Sequence, residues 1–434
     1  MALSITSAIP DPDLLDLPWN LPLDLWPEST IVALPKGISR HLVRFVNLAG
    51  YVVAIKETTA ELARQEYDML RSLQRLEIPC VEPVAVVTDR VAEDGEALAP
   101  ALVTRHLRFS LPYRALYSQA LRPDTATRLV DALAVLLARL HIGGFFWGDV
   151  SLSNTLFRRD AGAFAAYLVD AETGKLYDQG LSTGQRENDL EIGRVNIAGE
   201  LLDLQAGGRL DEDVDPVAVA DGIVAAYRQL WTTLTETETF PEAERWRIAK
   251  RVERLNDLGF DIEELSISRT EDGAKVVIQP KVVDAGHHSR RLLRLTGLDA
   301  GENQARRLLN DLDAYRATGG REALDEEQVA HEWLAKVFEP VVRAIPRELR
   351  GKLEPAEVFH QLLEHRWYLS QKEGRSVPLA EALTAYIEDV LRHRRDEITM
   401  VNPPTATLTV PVGVIGPSSP LPGADDEEDW RAKV

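Results

Sequence analysis

The segment 141–170 constrains the fold of this chain most strongly, because it places three polar side chains at the ends of apolar elements. It reads HIGGFFWGDVSLSNTLFRRDAGAFAAYLVD. Asp149 and Asn154 stand five residues apart after an apolar helical stretch, and Asp170 ends a short apolar strand. In phosphoryl transfer from ATP, one carboxylate orients the acceptor hydroxyl while an asparagine and a second carboxylate hold Mg²⁺. The arrangement suits such a site.

The composition is that of a globular protein and excludes several classes of function. The chain has 434 residues, enough for roughly two or three domains. Its net charge of −20 argues against nucleic-acid binding, which usually needs a basic surface. The single cysteine, Cys80, excludes an intrachain disulfide and a thiolate zinc cluster.

The sequence predicts a cytoplasmic location. The first residues lack a basic stretch followed by a long apolar run, so they do not read as a signal peptide. No segment approaches the ~20 apolar residues that a membrane-spanning helix needs. We therefore expect no membrane span.

A lysine at the end of a predicted strand indicates a buried ion pair. Three strands are predicted over 29–34, 42–46 and 51–56, and Lys56 ends the third. A charge at the end of a buried strand is costly unless it is paired. The helix predicted over 60–76 offers Glu66 on its apolar side, and we favour this partner over an exposed glutamate.

The remaining pattern alternates strands and helices, and then becomes mostly helical. Further strands are predicted over 81–87, 99–107, 265–268 and 275–279. Helices are predicted over 124–142, 188–204, 216–234, 242–258, 287–297, 303–317, 325–344, 355–370 and 378–394. From residue 401 onward, Pro, Gly, Ser and acidic residues prevail, which predicts a disordered tail.

This order of elements and polar residues resembles the protein-kinase-like fold over about residues 30–235, and is most similar to the bacterial lipopolysaccharide-kinase-like branch. The resemblance implies that Lys56 contacts the ATP phosphates and that Glu66 holds Lys56. It implies that Asp149 is the catalytic aspartate, and that Asn154 and Asp170 bind the metal. ATP and Mg²⁺ are the implied cofactors.

The resemblance also implies further nucleotide contacts. Segment 31–46 matches the hairpin that covers the phosphates, although its turn holds one glycine where the family has a glycine-rich run. The backbone around 103–106 matches the border of the adenine pocket. The residues assigned to the nucleotide on these grounds are Gly37, Ser39, Arg40, Thr104 and His106.

Three positions depart from the family pattern or remain open. Trp147 stands where the family usually has a histidine that supports the catalytic loop. Glu172, in the sequence Asp-Ala-Glu, is either an additional metal ligand or a surface residue. Asp189 either braces the catalytic loop or caps the N-terminus of the following helix, and we favour the cap.

The predicted fold class is α+β: a two-lobed protein-kinase-like domain followed by a mostly helical domain and a disordered tail. The predicted boundaries are an N-terminal arm at 1–28, a kinase-like domain at 29–240 with lobes 29–107 and 108–240, a helical domain at 241–400 and a tail at 401–434. The helical domain resembles an uncharacterised domain that follows kinase-like domains in some bacterial proteins.

The expected function is transfer of the ATP γ-phosphate to a hydroxyl group on a small molecule, a glycan or a protein. Two alternatives stay open. One is a pseudokinase scaffold that binds a protein partner through its C-terminal domain. The other is a kinase-like enzyme that transfers a different part of the nucleotide, such as AMP.

Overall fold

The architecture comes from a computed structural model. It describes residues 3–8, 11–32, 42–48, 50–118, 123–235, 237–244, 246–257, 260–269, 275–318, 320–321 and 323–397. The predicted phosphate-covering residues Gly37, Ser39 and Arg40 lie outside the described residues, as does the predicted tail at 401–434.

The first part of the chain forms a five-stranded antiparallel sheet with one helix against it. Its strands run in the order β1-β4-β5-β3-β2. The elements are β1 (Ser4–Ser7), β2 (Val43–Leu48), β3 (Tyr51–Glu57), α1 (Ala60–Arg75), β4 (Glu82–Thr88) and β5 (Ala101–Arg105). Helix α1 begins at the N-cap Thr59 and turns Tyr67, Leu70 and Leu73 inward. The predicted strands over 42–46, 51–56, 81–87 and 99–107 are therefore present, with shifted ends.

The N-terminal arm packs on the outer face of this sheet. Trp19 and Trp26 are both 3% exposed and contact each other edge to face. The buried guanidinium of Arg90 donates to the carbonyl oxygens of Trp19 and Leu21 and pairs with Glu57 at 2.7 Å. Strand β1, which the sequence did not predict, adds the arm to the sheet edge beside β4.

The second part of the chain is mostly helical and carries two short sheets. Its elements are β6 (Leu111–Pro112), α2 (Tyr113–Tyr117), α3 (Pro123–Ile142), β7 (Phe145–Phe146), β8 (Thr155–Asp160), β9 (Ala163–Leu168), β10 (Lys175–Leu176), α4 (Thr183–Ala206) and α5 (Pro216–Thr235). The apolar face of α3 lies at the centre of a core shared with α4, α5 and β9. Strands β8 and β9 form a hairpin that runs from the catalytic segment to a two-residue turn.

Helix α4 begins five residues earlier than predicted. Ser182 is its N-cap, and Gln185 completes a capping box with it. Asp189 therefore lies inside the helix, and our prediction that it caps the helix is wrong.

The last part of the chain is a three-stranded sheet followed by helices. Its elements are β11 (Glu238–Pro241), α6 (Trp246–Asp257), β12 (Phe260–Arg269), β13 (Lys275–Ala285), α7 (His287–Thr296), α8 (Glu302–Thr318), α9 (Glu326–Trp333), α10 (Glu339–Ala344), α11 (Pro355–Glu373) and α12 (Leu379–Asp389). The predicted helix over 325–344 is interrupted by a π-helical turn at Leu334–Phe338. Strands β12 and β13 are longer than the predicted 265–268 and 275–279.

The helices from α7 onward bury a core of their own, which runs from Leu292 to Leu391. The mixed α+β class, with a helical C-terminal region, is thereby confirmed. The exact domain boundaries stay a prediction. Among the described residues, no helix is both long and apolar enough to cross a membrane.

We predict that Trp19→Ala lowers the free energy of unfolding by about 3–5 kcal/mol, because it removes a fully packed indole from the arm–sheet contact. Urea unfolding followed by circular dichroism measures this change. Leu25→Ala is the matched control, because Leu25 lies in the same arm and is 64% exposed. Equal losses in the two variants would show that the arm does not stabilise the sheet.

Candidate active site

Lys56 lies among three carboxylates that come from both parts of the fold. Its Nζ is 2.9 Å from Glu66 Oε2, 2.9 Å from Asp170 Oδ2 and 2.8 Å from Glu172 Oε2. Strand β3 supplies the lysine, helix α1 supplies Glu66, and the segment after β9 supplies the other two. The predicted contact between Lys56 and Glu66 is present, and Glu66 is 2% exposed.

The cluster carries more negative than positive charge. Burial and, to a lesser extent, the neighbouring Asp170 raise the pKa of Glu66 to about 7, against the opposing effect of Lys56. Burial lowers the pKa of Lys56, but the charges of Glu66 and Asp170 outweigh it, so that this pKa is raised. The lysine therefore stays an ammonium, and the two carboxylates of Asp170 and Glu172 around it leave a surplus of negative charge, to which Glu66 adds when it is ionised.

A metal-ligand set is part of this cluster. One carboxylate oxygen from each of Glu66, Asp170 and Glu172 lies within 4.8 Å of the other two. Oxygen ligands from carboxylates are those that Mg²⁺ prefers. The residue types therefore suit a divalent cation, although one oxygen of each carboxylate is also in contact with the Lys56 ammonium.

Asp149 and Asn154 face each other across the catalytic loop. The Asn154 Nδ2 donates to Asp149 Oδ2 at 3.0 Å and to the Asp149 carbonyl oxygen at 3.2 Å. Asn196 on helix α4 donates to Asp149 Oδ1 at 3.3 Å and to the Val150 carbonyl oxygen at 3.1 Å. Because the side-chain nitrogen Nδ2 of Asn154 is turned to Asp149, its side-chain oxygen Oδ1 is the atom that could bind a metal.

One face of helix α4 holds the catalytic loop in place. Asp189, fully buried, accepts the backbone N–H groups of Trp147 and Gly148, each at 2.7 Å. Eleven residues further along the helix (200 − 189), Glu200 accepts the backbone N–H groups of Leu152 at 2.7 Å and Ser153 at 2.9 Å. The two carboxylates thus satisfy four amides of a loop that contains no regular structure of its own.

Helix α4 can approach the loop closely because of a glycine. A Cβ at Gly193 would lie 2.8 Å from Val150 Cγ1, which is closer than real Cβ contacts come. Residues 189, 193, 196 and 200 are spaced by four, three and four, so they share one helix face. The sequence contains this spacing, but sequence reasoning missed Asn196 and Glu200.

Trp147 connects the predicted catalytic loop to the segment of the predicted metal ligand Asp170. Its fully buried indole donates Nε1–H to the Asp170 carbonyl oxygen at 2.9 Å, and its own carbonyl oxygen accepts from Thr173 Oγ1 at 2.8 Å. The residue that departs from the family pattern thus fastens the backbone of Asp170 directly.

The predicted adenine border lies on the same sheet face as Lys56. Directly paired strand residues share a face, and Thr104 pairs with Ala54, two residues before Lys56. The His106 ring packs edge to face on Phe45 at 5.5 Å, and its backbone N–H donates to the Val52 carbonyl oxygen. The amide of His106 is therefore used within the sheet, and its side chain is the group left for a ligand.

The His106 imidazole is buried without a hydrogen bond at Nε2 among the described residues. Burial lowers the pKa of His106 to about 4, so the ring is neutral at pH 7. A buried polar nitrogen without a partner costs free energy.

Two known protein families match two different parts of the chain. Residues 50–192 match the model of the lipopolysaccharide kinase (Kdo/WaaP) family. This part of the chain is a lipopolysaccharide-kinase-like region. Residues 229–391 match a domain of unknown function, DUF4032, which agrees with the predicted uncharacterised C-terminal domain.

The lipopolysaccharide-kinase-like region contains the cluster around Lys56, the catalytic loop and Asp189, whereas Asn196 and Glu200 lie beyond the matched residues. No curated protein matches the chain in sequence. Among solved structures, the chain is similar to WaaP in complex with acyl carrier protein, at 15% identity over 53% of this chain and 90% of that chain, with a TM-score of 0.34. The family match supports a kinase-like phosphotransferase.

We predict that Gly193→Ala and Gly199→Ala have opposite effects on stability. Both residues lie in α4, but a Cβ at Gly199 meets nothing within 4 Å. Removing the helical glycine should stabilise the Gly199→Ala variant by about 0.5–1 kcal/mol. Gly193→Ala should instead destabilise the protein, because α4 or Val150 must move. Equal stabilisation of both variants in thermal unfolding would contradict the close contact.

We predict that His106 lowers the free energy of unfolding in acid. Its pKa of about 4 in the folded state lies below the ordinary 6.5, so its contribution is complete above pH 6.5 and is lost as the pH falls toward 4. Between pH 7 and 5, wild type should lose about 2 kcal/mol more than His106→Gln in urea unfolding. The exposed His331→Gln variant is the control, and it should follow wild type.

Proposed function

We propose that this chain is an ATP- and Mg²⁺-dependent phosphotransferase that moves the γ-phosphoryl group to a hydroxyl acceptor. The observation that carries the proposal is that Lys56 pairs with Asp170 and that Asn154 donates to Asp149, while the Val169 N–H beside Asp170 donates to the Asn154 backbone carbonyl oxygen. These are the residue types that phosphoryl transfer requires: a cation for the phosphates, a carboxylate for the acceptor and oxygen ligands for a metal.

Each residue has a role that its contacts support. Lys56 binds the phosphates, since its three carboxylate partners keep it charged and in place. Asp149 orients the acceptor hydroxyl and takes its proton, while Asn154 and Asn196 hold its two oxygens. Bound Mg²⁺ supplies neutralisation of charge on the phosphate oxygens.

The side-chain oxygen Oδ1 of Asn154 and the carboxylate of Asp170 would hold the metal, and we add Glu172 to this set. Its side chain is 21% exposed and contacts Lys56, so it belongs to the carboxylate cluster. The interpretation of Glu172 as an ordinary surface residue is the weaker one. His106 and Thr104 would face the base from the sheet.

The proposal is tested with ATP labelled separately at the γ- and α-phosphates, in the presence of Mg²⁺. Release or transfer of the γ label supports it. Transfer of the α label would instead support a nucleotidyl transferase. Absence of nucleotide binding in calorimetry would contradict both enzymes and leave the pseudokinase scaffold.

We predict that Asp149→Asn lowers γ-phosphoryl turnover by about 100-fold or more, because the acceptor loses its proton-accepting group. Nucleotide affinity in calorimetry should remain close to that of wild type. Asp170→Asn should lower both turnover and metal affinity, since it removes a ligand charge. Asp178→Asn changes an exposed carboxylate after β10 and is the matched control. Turnover that survives in Asp149→Asn would exclude the proposed role of Asp149.

A further inference from the structure

The β8–β9 hairpin joins Asn154 to Asp170, the two predicted metal ligands. Its six residue pairs run in register from Thr155 opposite Leu168 to Asp160 opposite Ala163. The Val169 N–H donates to the Asn154 carbonyl oxygen at 3.0 Å, which extends the ladder to the site. The position of the hairpin therefore sets the positions of Asn154 and Asp170.

The far end of the hairpin is held by the C-terminal domain. Asp160, 3% exposed, accepts the backbone N–H groups of Asn303 at 3.1 Å and Gln304 at 2.7 Å, in the first turn of helix α8. The Asn303 side chain donates to the same carboxylate at 3.1 Å. A Cβ at Gly301 would lie 2.5 Å from Asp160 Oδ1. The hairpin thus caps a helix of the other domain, in a space that excludes any side chain at Gly301.

Further contacts surround this cap. The Ala161 N–H at the hairpin turn donates to Glu357 Oε2 at 3.0 Å, and Gln304 Nε2 donates to the Arg159 carbonyl oxygen at 2.9 Å. Arg159 pairs with Glu397 at 2.7 Å, and Arg158 pairs with Glu354. Basic residues of the hairpin therefore meet carboxylates of the C-terminal domain.

These contacts resist displacement of the hairpin. Asp160 is nearly inaccessible to water, so moving the tip would leave its buried carboxylate without the donors of helix α8, and it would remove one donor from the buried Glu357. Six residues at ~3.3 Å each place the tip about 20 Å from the site. The turn residues Ala161 and Gly162 both have positive φ, as a tight two-residue hairpin turn requires. Because the turn has only two residues, it cannot rearrange to absorb a displacement of the hairpin tip.

We propose that Asp160 is a positioning residue, through which the C-terminal domain sets the alignment of the metal-binding pair Asn154 and Asp170. The inference rests on the proposed function. It assigns a role to the C-terminal domain: the helical domain holds the hairpin in the register that the metal site needs. Coupling between two sites is reciprocal, so metal and nucleotide must in turn tighten the cap on α8.

The first test measures Mn²⁺ affinity in the presence of ADP by electron paramagnetic resonance on the full chain. Asp160→Asn should weaken Mn²⁺ binding by about tenfold per folded molecule, which is a usual size for the coupling between two separate sites. Urea unfolding of the same samples gives the folded fraction. If Asp160→Asn does not fold, Glu357→Gln removes one charge at the tip with its shape retained. Glu381→Gln, which alters an exposed pair with Arg375, is the control and should bind as wild type does.

The second test uses hydrogen exchange of the α8 amides. Adding Mn²⁺ and ADP to wild type should slow exchange of the Gln304 amide, and the effect should be smaller in Glu357→Gln. If the contact only stabilised the fold, Glu357→Gln would lower the free energy of unfolding. Mn²⁺ and ADP would then slow exchange of the Gln304 amide equally in the variant and in wild type. Unchanged Mn²⁺ affinity in both Asp160→Asn and Glu357→Gln would overturn the inference while the proposed function stands. If wild type fails to bind Mn²⁺ and ADP, the proposed function fails and the inference with it.

Discussion

The ion cluster around Lys56 is the interaction on which the arrangement of the site depends. It joins strand β3 and helix α1 of the first part of the fold to the segment that follows β9 in the second part. Glu66 has almost no access to water, so its charge is tolerated only with a close partner. Removing one partner from such a buried set is typically destabilising by about 3–5 kcal/mol. The same contacts that fix the two parts of the fold also create the surplus of negative charge that a metal requires.

Features that depend on neighbouring residues in the chain could be predicted from the sequence. Lys56 could be assigned a partner because a charge at the end of an apolar strand needs one, and an amphipathic helix with an inward glutamate follows directly. Asp149, Asn154 and Asp170 could be singled out because they end apolar elements. Residue types at element ends are local information. In the structure, Lys56 pairs with Glu66 and Asp170, and Asn154 donates to Asp149.

Features that depend on distant contacts could not be predicted in this way. Asp189 looked like a helix cap because the beginning of α4 was placed too late, and its real partners lie 41 and 42 residues away in sequence. Strand β1 is a short polar strand that forms only because β4 offers a free edge. Asp160 reads as an ordinary turn residue until helix α8, more than 140 residues away, is placed beside it.

The indole of Trp147 has a practical consequence. The chain contains eight tryptophans, and one of them donates its N–H to the carbonyl oxygen of a proposed metal ligand. Fluorine-labelled tryptophan incorporated throughout the chain would give a separate NMR signal for each indole environment. The signal of Trp147, identified by its loss in Trp147→Phe, would then report on the backbone of Asp170 in solution. The natural tryptophan at position 147, where the family usually has a histidine, thus provides a spectroscopic probe beside the proposed site.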